Sequence, residues 1–87
     1  MIPLRIDAVG PAELVHFAGE NALLVSDKAF APGKPLDVHV LFPDEDVIVK
    51  LKVAGSRRRE DGRFDVRARI INLTRETRER LQRAFAN

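Results

Sequence analysis

Between Val47 and Ile71, apolar side chains recur at every second position on two arms joined by a charged stretch. On the first arm Val47, Val49, Leu51 and Val53 are separated by Ile48, Lys50, Lys52 and Ala54. On the second, Phe64, Val66, Ala68 and Ile70 alternate with Asp65, Arg67, Arg69 and Ile71. Period-two alternation over this length describes strands with one face buried and one wet. The connection Arg57-Arg58-Arg59-Glu60-Asp61-Gly62-Arg63 carries Asp-Gly, and glycine accepts the positive φ that a hairpin return needs. The pattern predicts a long hairpin with strands over about 47–57 and 63–71. Two strands alone are marginal in water, so further strands must cover the apolar face.

Upstream, Leu4 to Val9 alternates and ends at Gly10-Pro11, a turn signal, which predicts a first strand over about 3–9. Ala12 to Phe17 is a weaker pattern, either a strand over 12–17 or an irregular edge. Gly19-Glu20-Asn21 breaks it, and the continuous run Ala22-Leu23-Leu24-Val25 predicts a strand over 21–26 that is buried more completely than its neighbours. Ser26 to Pro35 reads as a loop, with Pro32-Gly33 as turn residues and Phe30 as an apolar plug beneath it. Leu36, Val38, Val40 and Phe42 predict a strand over 36–42, and Pro43 to Asp46 a polar turn into the hairpin. After Ile71 the period changes to that of a helix over 74–85, with Thr74 as its N-cap and Glu76 and Arg80 as an i,i+4 pair. Leu81, Ala84 and Phe85 form a narrow apolar stripe, which must dock because so short a helix does not hold alone. Five or six antiparallel strands followed by one helix predict a small barrel with a packed helix.

Composition narrows the function classes. The chain has 87 residues, 45% of them hydrophobic and 32% charged. Those values fit one soluble globular domain. With no cysteine there is no disulfide, thiolate metal site or thiol nucleophile, in keeping with a cytoplasmic protein. No apolar run approaches the length of a membrane span, and Met1-Ile2-Pro3-Leu4-Arg5 lacks the apolar core of a secretion signal. No membrane insertion is therefore expected. His16 and His39 lie on different predicted strands without a second ligand at metal spacing, and read as edge or solvent-facing histidines. Ser26 and Ser56 lack a nucleophile-elbow context. Asp44, Glu45 and Asp46 fit a polar turn, and the scattered glycines form no phosphate loop. Neither an enzyme nor a resident cofactor or metal is expected.

One constellation remains. If the hairpin's alternating apolar residues face inward, Lys50, Lys52, Arg67 and Arg69 project from its outer face, while Arg57, Arg58, Arg59 and Arg63 crowd its tip. Such a face suits an anionic ligand or partner, since arginine forks match phosphate and carboxylate oxygens. It also reads as a solvated face partly neutralised by Asp37, Glu60 and Asp65. A net charge of only +2, with no Tyr or Trp to stack on bases, disfavours nucleic acid.

From about Phe17 to Phe85 the chain resembles a PilZ domain, the bacterial module best known for binding cyclic di-GMP. The resemblance is carried by Ala22-Leu23-Leu24-Val25, by Ala31-Pro32-Gly33-Lys34-Pro35-Leu36 at a strand entry, and by the long strand from Val47 to Gly55. Arg67-Ala68-Arg69-Ile70-Ile71-Asn72-Leu73 with the basic helix completes it. The resemblance implies a six-stranded antiparallel barrel with a C-terminal helix. The family's nucleotide motifs do not carry over. Arg5 has Val9 where the second arginine of RxxxR belongs, and Phe17-Ala18-Gly19-Glu20-Asn21-Ala22 replaces DxSxxG, with Phe17, Gly19 and Ala22 at its defining positions. A site built to pair guanine and phosphate loses affinity steeply without those groups. The expectation is a signalling or adaptor module whose partner is another protein. Cyclic di-GMP is then bound weakly or not at all, or else by the basic face of Lys50, Lys52, Arg67 and Arg69.

Overall fold

The computed structural model of the protein describes residues 1–86: six antiparallel strands closed into a barrel, followed by one helix. The strands are β1 (Ile2–Ile6), β2 (Gly10–Ala18), β3 (Asn21–Ser26), β4 (Pro35–Leu41), β5 (Asp46–Arg58) and β6 (Phe64–Ile70), and the helix is α1 (Arg75–Phe85). Their order around the barrel is β1-β2-β3-β6-β5-β4, so the long β5–β6 hairpin is set between β3 and β4. Closure gives each strand two neighbours and removes the open edges on which sheets aggregate.

Inward-facing residues of the hairpin supply much of the core. Val49, Leu51, Val53, Val66, Ala68 and Ile70 are each at most 4% exposed, and they meet Leu4, Leu14, Leu24, Val38 and Val40 from the other strands. The lumen between them holds only a void of 10 Å³. That is about the space of a single water molecule, so a ligand the size of a nucleotide must bind outside. Phe30 packs against the core beneath the β3–β4 loop, and its backbone exchanges two 2.9 Å hydrogen bonds with the Ser56 hydroxyl.

The first hairpin differs from expectation. The chain reverses at Asp7-Ala8-Val9, with Ala8 at φ 67°, and Gly10-Pro11 opens β2 opposite Ile6 and Arg5 instead of forming the turn. Proline is tolerated there because the β3 ladder starts only at Ala12, leaving the missing amide without a partner to lose. β2 is a full strand of 9 residues whose weak alternation has a local cause. A bulge between Leu14 and His16 shifts its phase, so Ala12 and Leu14 point inward and then Phe17 does. A second bulge, between Val53 and Gly55, shifts the register of β5 against β6.

The helix docks through Leu81 and Phe85 of the expected stripe, with Thr77 in place of Ala84. Thr77 and Leu81 are buried, with Leu73 and Phe85 partly buried against the core, all at four-residue steps along one face, while Ala84 is exposed. Thr74 caps the helix, its hydroxyl accepting the Thr77 amide hydrogen at 3.2 Å, as an N-cap threonine does. Arg80 does not pair with Glu76. It flanks the buried stripe and reaches Asp44 at 2.6 Å and Glu45 at 2.9 Å in the β4–β5 turn. Its guanidinium lies 4.0 Å from the centre of the Phe42 ring, within cation–π range. The i,i+4 pair is Arg75–Glu79 instead. The hydrogen bond from Arg80 holds the Asp44 carboxyl below its ordinary pKa, and the same contact raises that of Arg80. These contacts pin α1 over the end of the barrel that carries the β4–β5 turn.

Candidate functional site

The register of β5 and β6 places the predicted cations. Lys50, Lys52, Arg67 and Arg69 are all exposed on the outer wall, and Lys52 sits directly opposite Arg69. Like charges facing each other across a ladder repel, so this pairing destabilises the sheet slightly. Lys50 has a partner, Asp37 at 3.7 Å on β4, as the neutralised reading of this face anticipates. Lys52, Arg67 and Arg69 form no ion pair among the described residues.

The tip behaves differently. Arg63 donates two hydrogen bonds to Glu13, at 2.9 and 2.7 Å, and a third to Asp27 at 2.9 Å. This fork ties the hairpin tip to β2 and to the end of β3. It holds the Glu13 carboxyl below its ordinary pKa and raises that of Arg63. Arg59 grips Asp65 at 3.0 Å and Asp61 at 3.3 Å, while the Arg63 amide donates to Asp61 at 3.0 Å and is the main reason the Asp61 pKa is lowered. Between them lies Val25, on the outer side of β3 by register, with Glu13 and Asp65 as its cross-strand neighbours. It is only 5% exposed, which accounts for the unbroken apolar run on β3. Arg57 and Arg58 extend from the tip without a carboxylate partner among the described residues, and Glu60, expected to neutralise the face, makes no ion pair there.

Beside the free cations the wall is hollowed. A groove of about 380 Å³ crosses β2, β3, β6 and β5, with Leu23 and Ala54 among its apolar lining and His16, Asn21, Arg67 and Arg69 around them. Both bulges shape it. The one in β2 turns His16 outward, and the one in β5 makes Ala54 the unpaired residue and leaves Gly55 opposite Arg67. Gly55 has no Cβ to fend off the arginine. An ideal Cβ there would lie 2.9 Å from the Arg67 Nη2, so the guanidinium rests over the glycine backbone. Two larger hollows, about 630 Å³ at Phe42 and Arg80 and about 500 Å³ at the tip, also carry acids among their lining: Asp44, paired with Arg80, at the first, and Glu60, Asp61 and Asp65, the last two holding Arg59, at the second.

This chain matches no family model, no curated protein and no solved structure. The eight predicted cations divide into Lys50, Arg59 and Arg63, which have acidic partners, and Lys52, Arg57, Arg58, Arg67 and Arg69, which have none among the described residues. His16, Asn21, Leu23 and Ala54 are not singled out by the sequence; its only hint is the lapse in alternation at Val15-His16. His39, read as a bare edge histidine, is half-buried, and its Nε2 lies 3.1 Å from Asp7. Among the described residues no three side chains of the metal-ligating kind converge, and no helix is long and apolar enough to cross a membrane.

Proposed function

We propose that the protein is a non-catalytic signalling or adaptor module of the PilZ type, acting through protein–protein contact on the outer wall of β3, β6 and β5, with weak or absent binding of cyclic di-GMP. The observation that carries this reading is the set Lys52, Arg67 and Arg69, left uncompensated on one wall, whereas Arg59 and Arg63 at the tip and Arg80 on the helix each hold an acid. Charges left unpaired at a small cost to the sheet suit an acidic surface on a partner.

The resemblance implies a six-stranded antiparallel barrel with a C-terminal helix, and the chain has that fold. The segment aligned with the family's polar nucleotide motif supports the loss of that ligand. It spans the β2–β3 turn, with Phe17 and Ala22 each 5% exposed and facing the core, where neither can touch a nucleotide. No phenylalanine lines the outer-wall groove, where base stacking would need an open ring. The test has two arms. A tagged native chain is expected to retain a partner from a lysate of its own cells that the Arg67→Glu/Arg69→Glu variant loses. Calorimetry with cyclic di-GMP is expected to show no micromolar binding; such binding, or equal capture by both chains, would overturn the proposal.

A further inference from the structure

We infer that the outer-wall groove binds an extended acidic segment of a partner protein, aligned along β6, with carboxylates at alternate positions facing Arg67 and Arg69; the inference rests on the adaptor reading and specifies its partner. Arg67 and Arg69 are two residues apart on one strand, so both leave the same face about 6.5–7 Å apart. Acidic side chains at i and i+2 of an extended peptide repeat that spacing and direction. A peptide laid parallel to β6 therefore presents one carboxylate to each guanidinium without bending.

The surroundings favour a peptide over other anions. Lys52 is opposite Arg69, so a carboxylate entering there is flanked by two cations from neighbouring strands and relieves their mutual repulsion. Arg67 is opposite Leu23 on β3 and Gly55 on β5, so beside it the groove offers aliphatic surface for the stem of a glutamate or a neighbouring apolar residue. Asn21, opposite Arg69 on β3, places an amide at the same end of the groove, where peptide backbone groups need partners. A compact phosphate carries no second anionic group two residues along and no chain to lie against Leu23 and Asn21, and a nucleotide base finds no phenylalanine, tyrosine or tryptophan lining the groove.

The experiment is fluorescence polarisation on the native chain with two labelled nonapeptides of one composition. In the first, three glutamates alternate with alanines; in the second, the same three stand at every third position, so that no two are at i and i+2. Equal charge makes general electrostatic attraction equal, so only spacing differs. The alternating peptide is expected to bind about tenfold more tightly, the discrimination that one additional charge-assisted contact provides. Arg69→Glu is expected to abolish the preference. That change sets opposite charges across from each other at Lys52, so it favours the fold. Equal binding of the two peptides would overturn the inference, as would displacement of the alternating peptide by micromolar cyclic di-GMP or pyrophosphate. Equal peptide binding together with partner capture that depends on Arg67 and Arg69 would leave the adaptor reading standing and remove the extended-segment geometry alone.

Discussion

Truncating Leu81 tests how the helix closes the barrel. Leu81 is 0% exposed and is the only apolar helix residue fully inside the core; Leu73 and Phe85 are half-covered, and Thr77 contributes one methyl group. Leu81→Ala removes three buried carbons at the contact that commits an 11-residue helix, too short to persist alone, to the sheet. Core Leu→Ala changes cost about 2–5 kcal/mol, and the helix can settle towards the barrel, which places this one at about 2–4 kcal/mol. A chain of this length has about 4–13 kcal/mol of stability in all. The melting temperature should therefore fall by roughly 8–32 °C, at about 4–8 °C per kcal/mol for a domain of this size. The assay is urea and thermal unfolding followed by far-ultraviolet circular dichroism, with Ala84→Gln alongside. Ala84 is exposed, so that variant should stay within about 0.5 kcal/mol of the native chain. A fall of less than about 4 °C for Leu81→Ala, or a large one for Ala84→Gln, would mean that the helix docks by another face.

Other expectations can be checked with the same measurements. Thr74→Ala removes the hydroxyl that accepts the Thr77 amide and should cost about 1 kcal/mol in urea unfolding. Gly55→Ala strains no backbone, and its Cβ meets only the movable end of Arg67. Stability should then change by less than about 1 kcal/mol, while the affinity for the alternating-glutamate peptide falls severalfold. The Glu13 carboxyl has its pKa lowered from 4.5 by the Arg63 fork. Its contribution is fully present above that ordinary value and is lost as pH falls through the lower folded value. Melting curves between neutral and acid pH should thus be flatter on the acid side for Arg63→Ala than for the native chain; parallel curves would show that the fork contributes nothing.

Much of the barrel was legible because most strands have one buried face. Leu36 to Phe42 and both hairpin arms keep strict alternation, and each residue faces the side its position implies. Where phase is interrupted the sequence becomes ambiguous, as at Val15-His16, whose extra residue makes a full-length strand look like an edge. Around Gly10-Pro11 the local turn signal was overridden by tertiary context. A strand end with one neighbour accepts proline, and Ala8 took the left-handed conformation instead. The buried methyl of Thr77 was hidden by residue type, and the Arg80–Asp44 contact by its separation of 36 positions. The placement of β6 beside β3 has no local signature at all.

The candidate site shows the same limit in sharper form. Sequence identifies which cations share a face, because that depends only on period two. It does not identify which are free, because neutralisation comes from acids far along the chain: Glu13 is 50 positions from the arginine it balances. Arg63 and Arg69 look equivalent in the sequence, yet one is a tether between the tip and β2 and the other faces Lys52 across a ladder. Of the two, only the second has a charge whose replacement would steady the fold. Arg69→Glu should melt above the native chain, since it turns a repulsive cross-strand pair into an attractive one. Arg69 thus contributes nothing favourable to its ladder, and the proposed acidic segment would give it a role: a carboxylate entering the groove would complete what the barrel leaves unpaired.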